Sequence, residues 1–239
     1  MPSVLSRALH IAAHCLLYAT FLIVISNITL IMPSYAQDAD GLRPLFTHAL
    51  LTSILPEDVR FLDDADTIER FLESLDEKPP NWKTVYGDHG QSHDEPLFAL
   101  NRERDQLRQG QEGLTTRLTF IWSGELSAYD SESGGFRVAI GPKLIPTRWG
   151  VVRFKPDNLP SNLVAVPSPA LAESLRARIS NGERIEIDVA ITGRLLHEES
   201  IIYDFAHDEP GQGMVMPVMQ VEMIDYLLTE TMVEFLNPP

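Results

Sequence analysis

The chain has 239 residues, with 19 lysines and arginines against 34 aspartates and glutamates, a formal charge of −15, and Cys15 as its one cysteine. A balance this acidic excludes a general nucleic-acid or anionic-lipid binder, because neutralisation of phosphate by Lys and Arg supplies most of that affinity. A lone cysteine likewise excludes a disulfide framework.

Arg7 precedes an apolar run from Ala8 to Met32, and Pro33-Ser34-Tyr35-Ala36 follows it. That order is the charged region, apolar region and small-residue cleavage site of a secretory signal. Residues 1–36 are therefore expected to be a signal peptide cut after Ala36, which removes Arg7 and leaves residues 37–239 at −16 with no transmembrane segment. The alternative is an uncleaved inner-membrane anchor, since about 22 residues from Ile11 to Met32 are long enough to span a bilayer. Lipidation at Cys15 is not expected, because His14 stands where a small residue is needed. The sequon Asn27-Ile28-Thr29 lies inside the signal, which points to a bacterial periplasmic or secreted protein. With no cysteine left, such a protein needs a true apolar core.

From Leu42 to Leu75 the apolar residues Leu45, Phe46, Ala49, Leu50 and then Ile68, Phe71, Leu72, Leu75 recur at spacings of three and four, predicting two helices divided near Pro56. Residues 81–96 read as a polar loop, and 97–109 as a solvated helix. Residues 37–110 are thus expected to be an acidic helical segment.

Past Gly113 the period changes to two. Leu118, Phe120 and Trp122 alternate with Arg117, Thr119 and Ile121, and Gly124 is expected to mark a bulge in a strand that runs on to Tyr129. Phe136, Val138 and Ile140 give the returning strand, with shorter candidates at 151–154 and 163–166. Ser168-Pro169 opens a helix that Asn181-Gly182 closes. Ile185, Ile187, Val189 and Ile191 form the cleanest half-buried strand, and Met219, Val221 and Met223 the last. Residues 229–239 form a C-terminal tail with room for a short helix through Val233 and Leu236.

The expected fold class is α+β, mainly β: a β-rich domain over residues 111–228 whose order of strands, one helix and two strands resembles the small antiparallel OB barrel. The alternative is another small barrel or sandwich with one helix.

Three constellations carry candidate chemistry. Arg137, Lys143, Arg148, Arg153 and Lys155 form a basic stretch free of acidic residues from 133 to 156 and interleaved with Phe136, Trp149 and Phe154. Arginine forks take carboxylate or phosphate and aromatic faces take rings, so this stretch would bind an envelope protein, a polysaccharide or a small anion. The competing reading is that these cations neutralise the chain's own acidic helices. Second, His197, Asp204, His207 and Asp208, with Glu198 and Glu199 beside them, offer imidazole and carboxylate ligands for a divalent metal in a metal-dependent hydrolase. Here the plain alternative is a solvated loop or an extra strand over 200–205. Third, Asp88-His89 and His93-Asp94-Glu95 form a similar but looser cluster, more simply read as a hydrophilic loop.

There is no Gly-x-Ser-x-Gly elbow, no Ser-x-x-Lys and no phosphate-cradling glycine loop. The expectation is a non-enzymatic binding module needing no cofactor, with the metal-dependent hydrolase as alternative. A third reading is an envelope assembly subunit that docks through its helical segment.

Overall fold

The computed structural model describes residues 41–87, 94–206 and 211–229. Eleven strands appear among them. A ring of six closes on itself: β3 (Arg117–Asp130), β4 (Gly135–Gly141), β8 (Val164–Val166), β1 (Leu42–Thr47), β11 (Gly213–Leu228) and β9 (Ile185–Leu195), which returns to β3. The neighbours pair antiparallel except around β1, which is parallel to both β8 and β11.

The alternation of β3 and β9 dictates this ring. Leu118, Phe120, Trp122 and Leu126 of β3, and Ile185, Ile187, Val189 and Ile191 of β9, all enter one core. Ser123, Glu125, Glu186 and Asp188 fall on the opposite face, as a period of two requires. A Cβ on Gly124 would press on the Val189 and Ile187 side chains, so this glycine answers a full interior. The register shift expected there comes instead between Leu126 and Tyr129.

The helix predicted from Leu42 is a strand. Spacings of three and four among Leu45, Phe46, Ala49 and Leu50 favour a helix locally, but the parallel slot between β8 and β11 is open and β1 fills it, Leu42 opposite Val164 and Leu45 opposite Tyr226. Pairing on both edges outweighs helix propensity, which is worth only a few tenths of a kcal/mol per residue. A single-turn helix, α1 (Leu51–Ile54), and strand β2 (Val59–Leu62), parallel to β3, follow. Leu51 packs with Ile121, Ala190 and Leu227 on the outside of the barrel, and Phe46, Ile54, Leu55 and Phe61 complete this second apolar layer.

Helix α2 (Ala65–Asp76), the second of the two predicted helices, begins at a capping box between Asp64 and Thr67. Its face of Ile68, Phe71, Leu72 and Leu75 joins the barrel core. The stretch read as loop contains a five-residue helix, α3 (Trp82–Tyr86), started by the Asn81 side chain; α4 (Asp94–Arg108) follows. Helix α5 (Pro169–Ser180), with proline in its first turn and Gly182 at φ +82° beyond its end, drives Leu175 into the core.

Around the first half of β11 a smaller set of strands gathers: β6 (Gly150–Val152) and β7 (Lys155–Asp157) parallel to it, β10 (Ile201–Phe205) antiparallel, and β5 (Ile145–Thr147) beyond β6. Asn101 of α4 seals the outer edge of β10. Its amide nitrogen donates to the Tyr203 carbonyl at 2.9 Å and its oxygen accepts from the Tyr203 N–H at 2.8 Å, as a neighbouring strand would. Among the described residues no helix is long and apolar enough to cross a membrane.

Candidate functional site

The basic stretch divides into residues with different tasks. Trp149 is fully buried, and Phe154 is stacked on Phe120 with ring centroids 4.5 Å apart, so both rings belong to the core and neither offers a face to a ligand. Arg148 turns to α2: its backbone N–H donates to Glu69 at 2.7 Å, its Nη2 to Glu73 at 2.7 Å, and its Nε also meets Glu69. Burial alone would raise the Glu69 pKa, but the amide and guanidinium of Arg148 outweigh it and hold the carboxyl below its ordinary range. The Ser133 hydroxyl and, in smaller part, Arg137 hold the Asp130 pKa down, while Lys143 only opposes the burial that raises the Asp188 pKa. Arg153 and Lys155 remain, flanking buried Phe154, exposed, and without an acidic group within 4.0 Å among the described residues.

Of the metal-ligand candidates, His207 and Asp208 lie outside the described residues, as do Asp88, His89 and His93. His197, Glu198 and Glu199 are exposed and line a cleft of about 440 Å³ together with Asp105, Arg108, Gln109, Leu114 and Ser200. Asp204 stands on β10, outside the cleft lining, and accepts the Phe205 N–H at 2.8 Å. Among the described residues no three His, Cys, Asp or Glu side chains gather as a metal ion requires.

The floor of that cleft is a polar network which sequence reasoning missed. Asp76, at the end of α2, receives Arg108 Nε on one oxygen and Arg108 Nη2 on the other, both at 2.7 Å, and the Tyr203 hydroxyl donates to it as well. Arg108 also donates to the Ile201 carbonyl at 3.0 Å and to Asp105 at 3.1 Å, and its guanidinium lies 5.3 Å from the Tyr203 ring centroid. Both charged partners are essentially sealed from water, Asp76 at 2 % and Arg108 at 1 % exposure. Burial pushes the Tyr203 pKa up, and the Asp76 charge adds to it. For Asp105, burial raises the pKa and Arg108 opposes it, while the charges of Asp76 and Glu199 raise it further. Chemically the network is a latch: both oxygens of Asp76 are engaged by donors of the chain itself.

A second depression, about 340 Å³, lies on the outer face of β3, β4 and β9. Gly141, Ser123 and Asp188 stand in one cross-strand row, and Ala139, Glu125 and Glu186 in the next. Two like charges opposite each other repel; Arg184 answers by donating to Glu125, with Nη2 at 2.5 Å. Burial raises the Asp188 pKa, with His48 at 3.9 Å and Lys143 opposing. The sequence shows these side chains as the polar half of two alternating strands, but only the register reveals which of them are neighbours.

In comparisons with protein-family models, curated proteins and solved structures, the chain matches none of them.

Proposed function

We propose that this chain is an exported, non-enzymatic binding module of the bacterial cell envelope, periplasmic or secreted after loss of residues 1–36, and that Arg153 and Lys155 meet an acidic partner. The alternative localisation keeps the N-terminal segment as an inner-membrane anchor. The architecture we infer is an OB-like barrel with one added strand. In its favour, β3, β4, β8, α5, β9 and β11 follow one another as an OB barrel's strands and helix do. The pairings β3–β4, β4–β8, β9–β11 and β3–β9 agree, with β1 wedged where the third and fifth strands would touch. Fold analogy carries no function by itself.

The observation that carries the binding reading is the pair Arg153 and Lys155: both point away from buried Phe154, in a chain of net charge −15, with no acid of the chain's described residues on either. The partner class is an acidic envelope protein, an acidic polysaccharide or a small anion. Retention of the native protein on a sulfated-dextran matrix, measured at rising salt, tests it. Native protein should be held and released by salt, and the Arg153→Ala/Lys155→Ala variant should elute earlier; identical elution of the two would overturn the reading.

A metal-dependent hydrolase is the second reading, favoured by His197 lining a cleft of about 440 Å³ beside three carboxylates, Asp105, Glu198 and Glu199. It needs His207 and Asp208 to complete the ligands. Elemental analysis of protein purified without chelator or histidine tag decides it. About one zinc or manganese per chain, lost in a His197→Ala variant, would place this reading above the first, and a metal-free protein that takes up neither ion would remove it.

A further inference from the structure

We propose that Asp225 is a pH-sensitive latch for the apolar layer outside the barrel: as a neutral acid it lies quietly under that layer, and its ionisation loosens residues 46–61 from the barrel wall. Asp225 sits on β11 between Ile224 and Tyr226, whose side chains enter the core, so its own side chain faces outward. An outward carboxyl at mid-strand normally meets water, yet Asp225 is only 5 % exposed. Its neighbours explain this. Ala190 stands opposite on β9, Leu227 follows two residues along on the same face, and the parallel register of Leu45 with Tyr226 sets Pro44 beside it on β1. Ala190 and Leu227 are themselves covered by Leu51 of α1 and by Phe46, Ile54, Leu55 and Phe61.

One carboxyl oxygen, Oδ2, is buried with no hydrogen-bond partner among the described residues. A carboxylate in that position would keep neither its hydration nor a donor, a cost that a protonated carboxyl largely avoids. The charged and titratable groups around it offer little relief. Arg43 of β1 is the one cation that lowers its pKa, and this is outweighed by burial, which raises it to about 6. On β9, Asp188 stands opposite Leu227, one step along the same face, where His48 and Lys143 address it. Helix α1 itself, Leu51-Thr52-Ser53-Ile54, contains no titratable side chain. Next on the chain, Tyr226 turns inward and its hydroxyl donates a hydrogen bond to the Gly41 carbonyl at 2.9 Å.

The sign follows from linkage. The closed layer binds the Asp225 proton more tightly than an opened layer, in which the carboxyl regains its ordinary pKa of 3.8. Opening therefore becomes easier as pH rises through the window between 3.8 and about 6, and the proton leaves to water. The full gain is about a hundredfold in the opening equilibrium, of which about tenfold falls between pH 5 and 8.

Amide hydrogen exchange of the full chain, expressed as protection factors to remove the intrinsic pH dependence, reads this directly. Protection at Leu51, Ile54 and Leu55 is expected to fall about tenfold from pH 5 to pH 8, while Val189 and Ile191 in the core strand stay constant. In Asp225→Asn the same amides should show no such trend. Equal pH dependence in the variant, or none in the native protein, overturns the proposal. Should the variant fail to fold, carbon-13 NMR of the Asp225 carboxyl in the native protein decides: a midpoint near 6 supports the latch, and one near the ordinary aspartate value refutes it.

Discussion

Replacing Asp76 by Asn tests whether the buried network holds the helices to the strands. The change keeps shape and one acceptor oxygen but removes the charge that answers Arg108, whose exposure is 1 %. One of the two 2.7 Å hydrogen bonds passes from a carboxylate to an amide oxygen, the other is lost because the new amide N–H faces a guanidinium N–H, and Tyr203 loses its anionic partner. Hydrogen bonds to charged groups contribute about 1.5–3 kcal/mol each, and removing one member of a buried pair costs about 3–5 kcal/mol. Because Asn retains an acceptor and Asp105 still reaches Arg108 at 3.1 Å, the lower end applies, about 3 kcal/mol. Urea unfolding followed by circular dichroism is the assay; with a slope of about 2 kcal/mol/M the midpoint should drop by about 1.5 M. Adding Arg108→Met removes the stranded charge, so the double variant should recover about half the loss. A single-variant loss below about 1 kcal/mol, or a double variant as unstable as the two single losses added, would show that the pair is not mutually dependent.

Three further substitutions follow from single contacts. Asn101→Ala leaves the Tyr203 N–H and carbonyl without their partners at the β10 edge, and should cost about 2 kcal/mol and raise hydrogen exchange at Tyr203; unchanged exchange there would contradict the edge-sealing role. Gly213→Ala would place a methyl group inside the Trp82 ring, which cannot step aside because its Nε1–H is committed to the Trp149 carbonyl at 2.7 Å. The expected loss is about 3 kcal/mol, read by thermal unfolding, and a variant as stable as the native protein would refute that packing. Tyr226→Phe removes the hydroxyl that holds the Gly41 carbonyl at 2.9 Å, so it should cost about 1 kcal/mol and speed exchange at the start of β1; equal exchange in the two proteins would show that β1 is held by its strand pairing alone.

Much of the barrel was legible because its signals are local. Ile185, Ile187, Val189 and Ile191 alternate without exception, and Ser168-Pro169 with Gly182 bracket α5, so neither element needs tertiary information. β1 was not legible because spacings of three and four among Leu45, Phe46, Ala49 and Leu50 fit a helix, and what decides otherwise, the strands β8 and β11, lies more than a hundred residues away. The aromatic members of the basic stretch failed for a related reason. Alternation shows that Phe154 differs in facing from Arg153 and Lys155, but not which side holds water. A pattern of basic and aromatic residues is therefore the same for a ligand groove and for an edge segment closing a core. Only the Phe120 to Phe154 stack and the full burial of Trp149 separate them.

The polar contacts of residues 76–108 argue about what kind of object the helical segment is. Trp82 donates to Trp149 across 67 residues, Arg108 to Ile201 across 93, Asn101 to Tyr203 across 102, and Tyr86 to Gln212 at 2.5 Å across 126. Each donates to a main-chain carbonyl in or beside the strand layer, and at Gln212 it joins the Ala206 N–H, which reaches the same carbonyl at 3.0 Å. Removing the helices would thus expose the β10 edge and exchange these hydrogen bonds for water, at about 0.5–1.5 kcal/mol each, on top of losing the apolar face of α2 that fills the core. An acidic appendage carried for docking would be expected to make few such bonds, since a partner must be able to take its place. The helical segment is joined to the strands by these long-range hydrogen bonds.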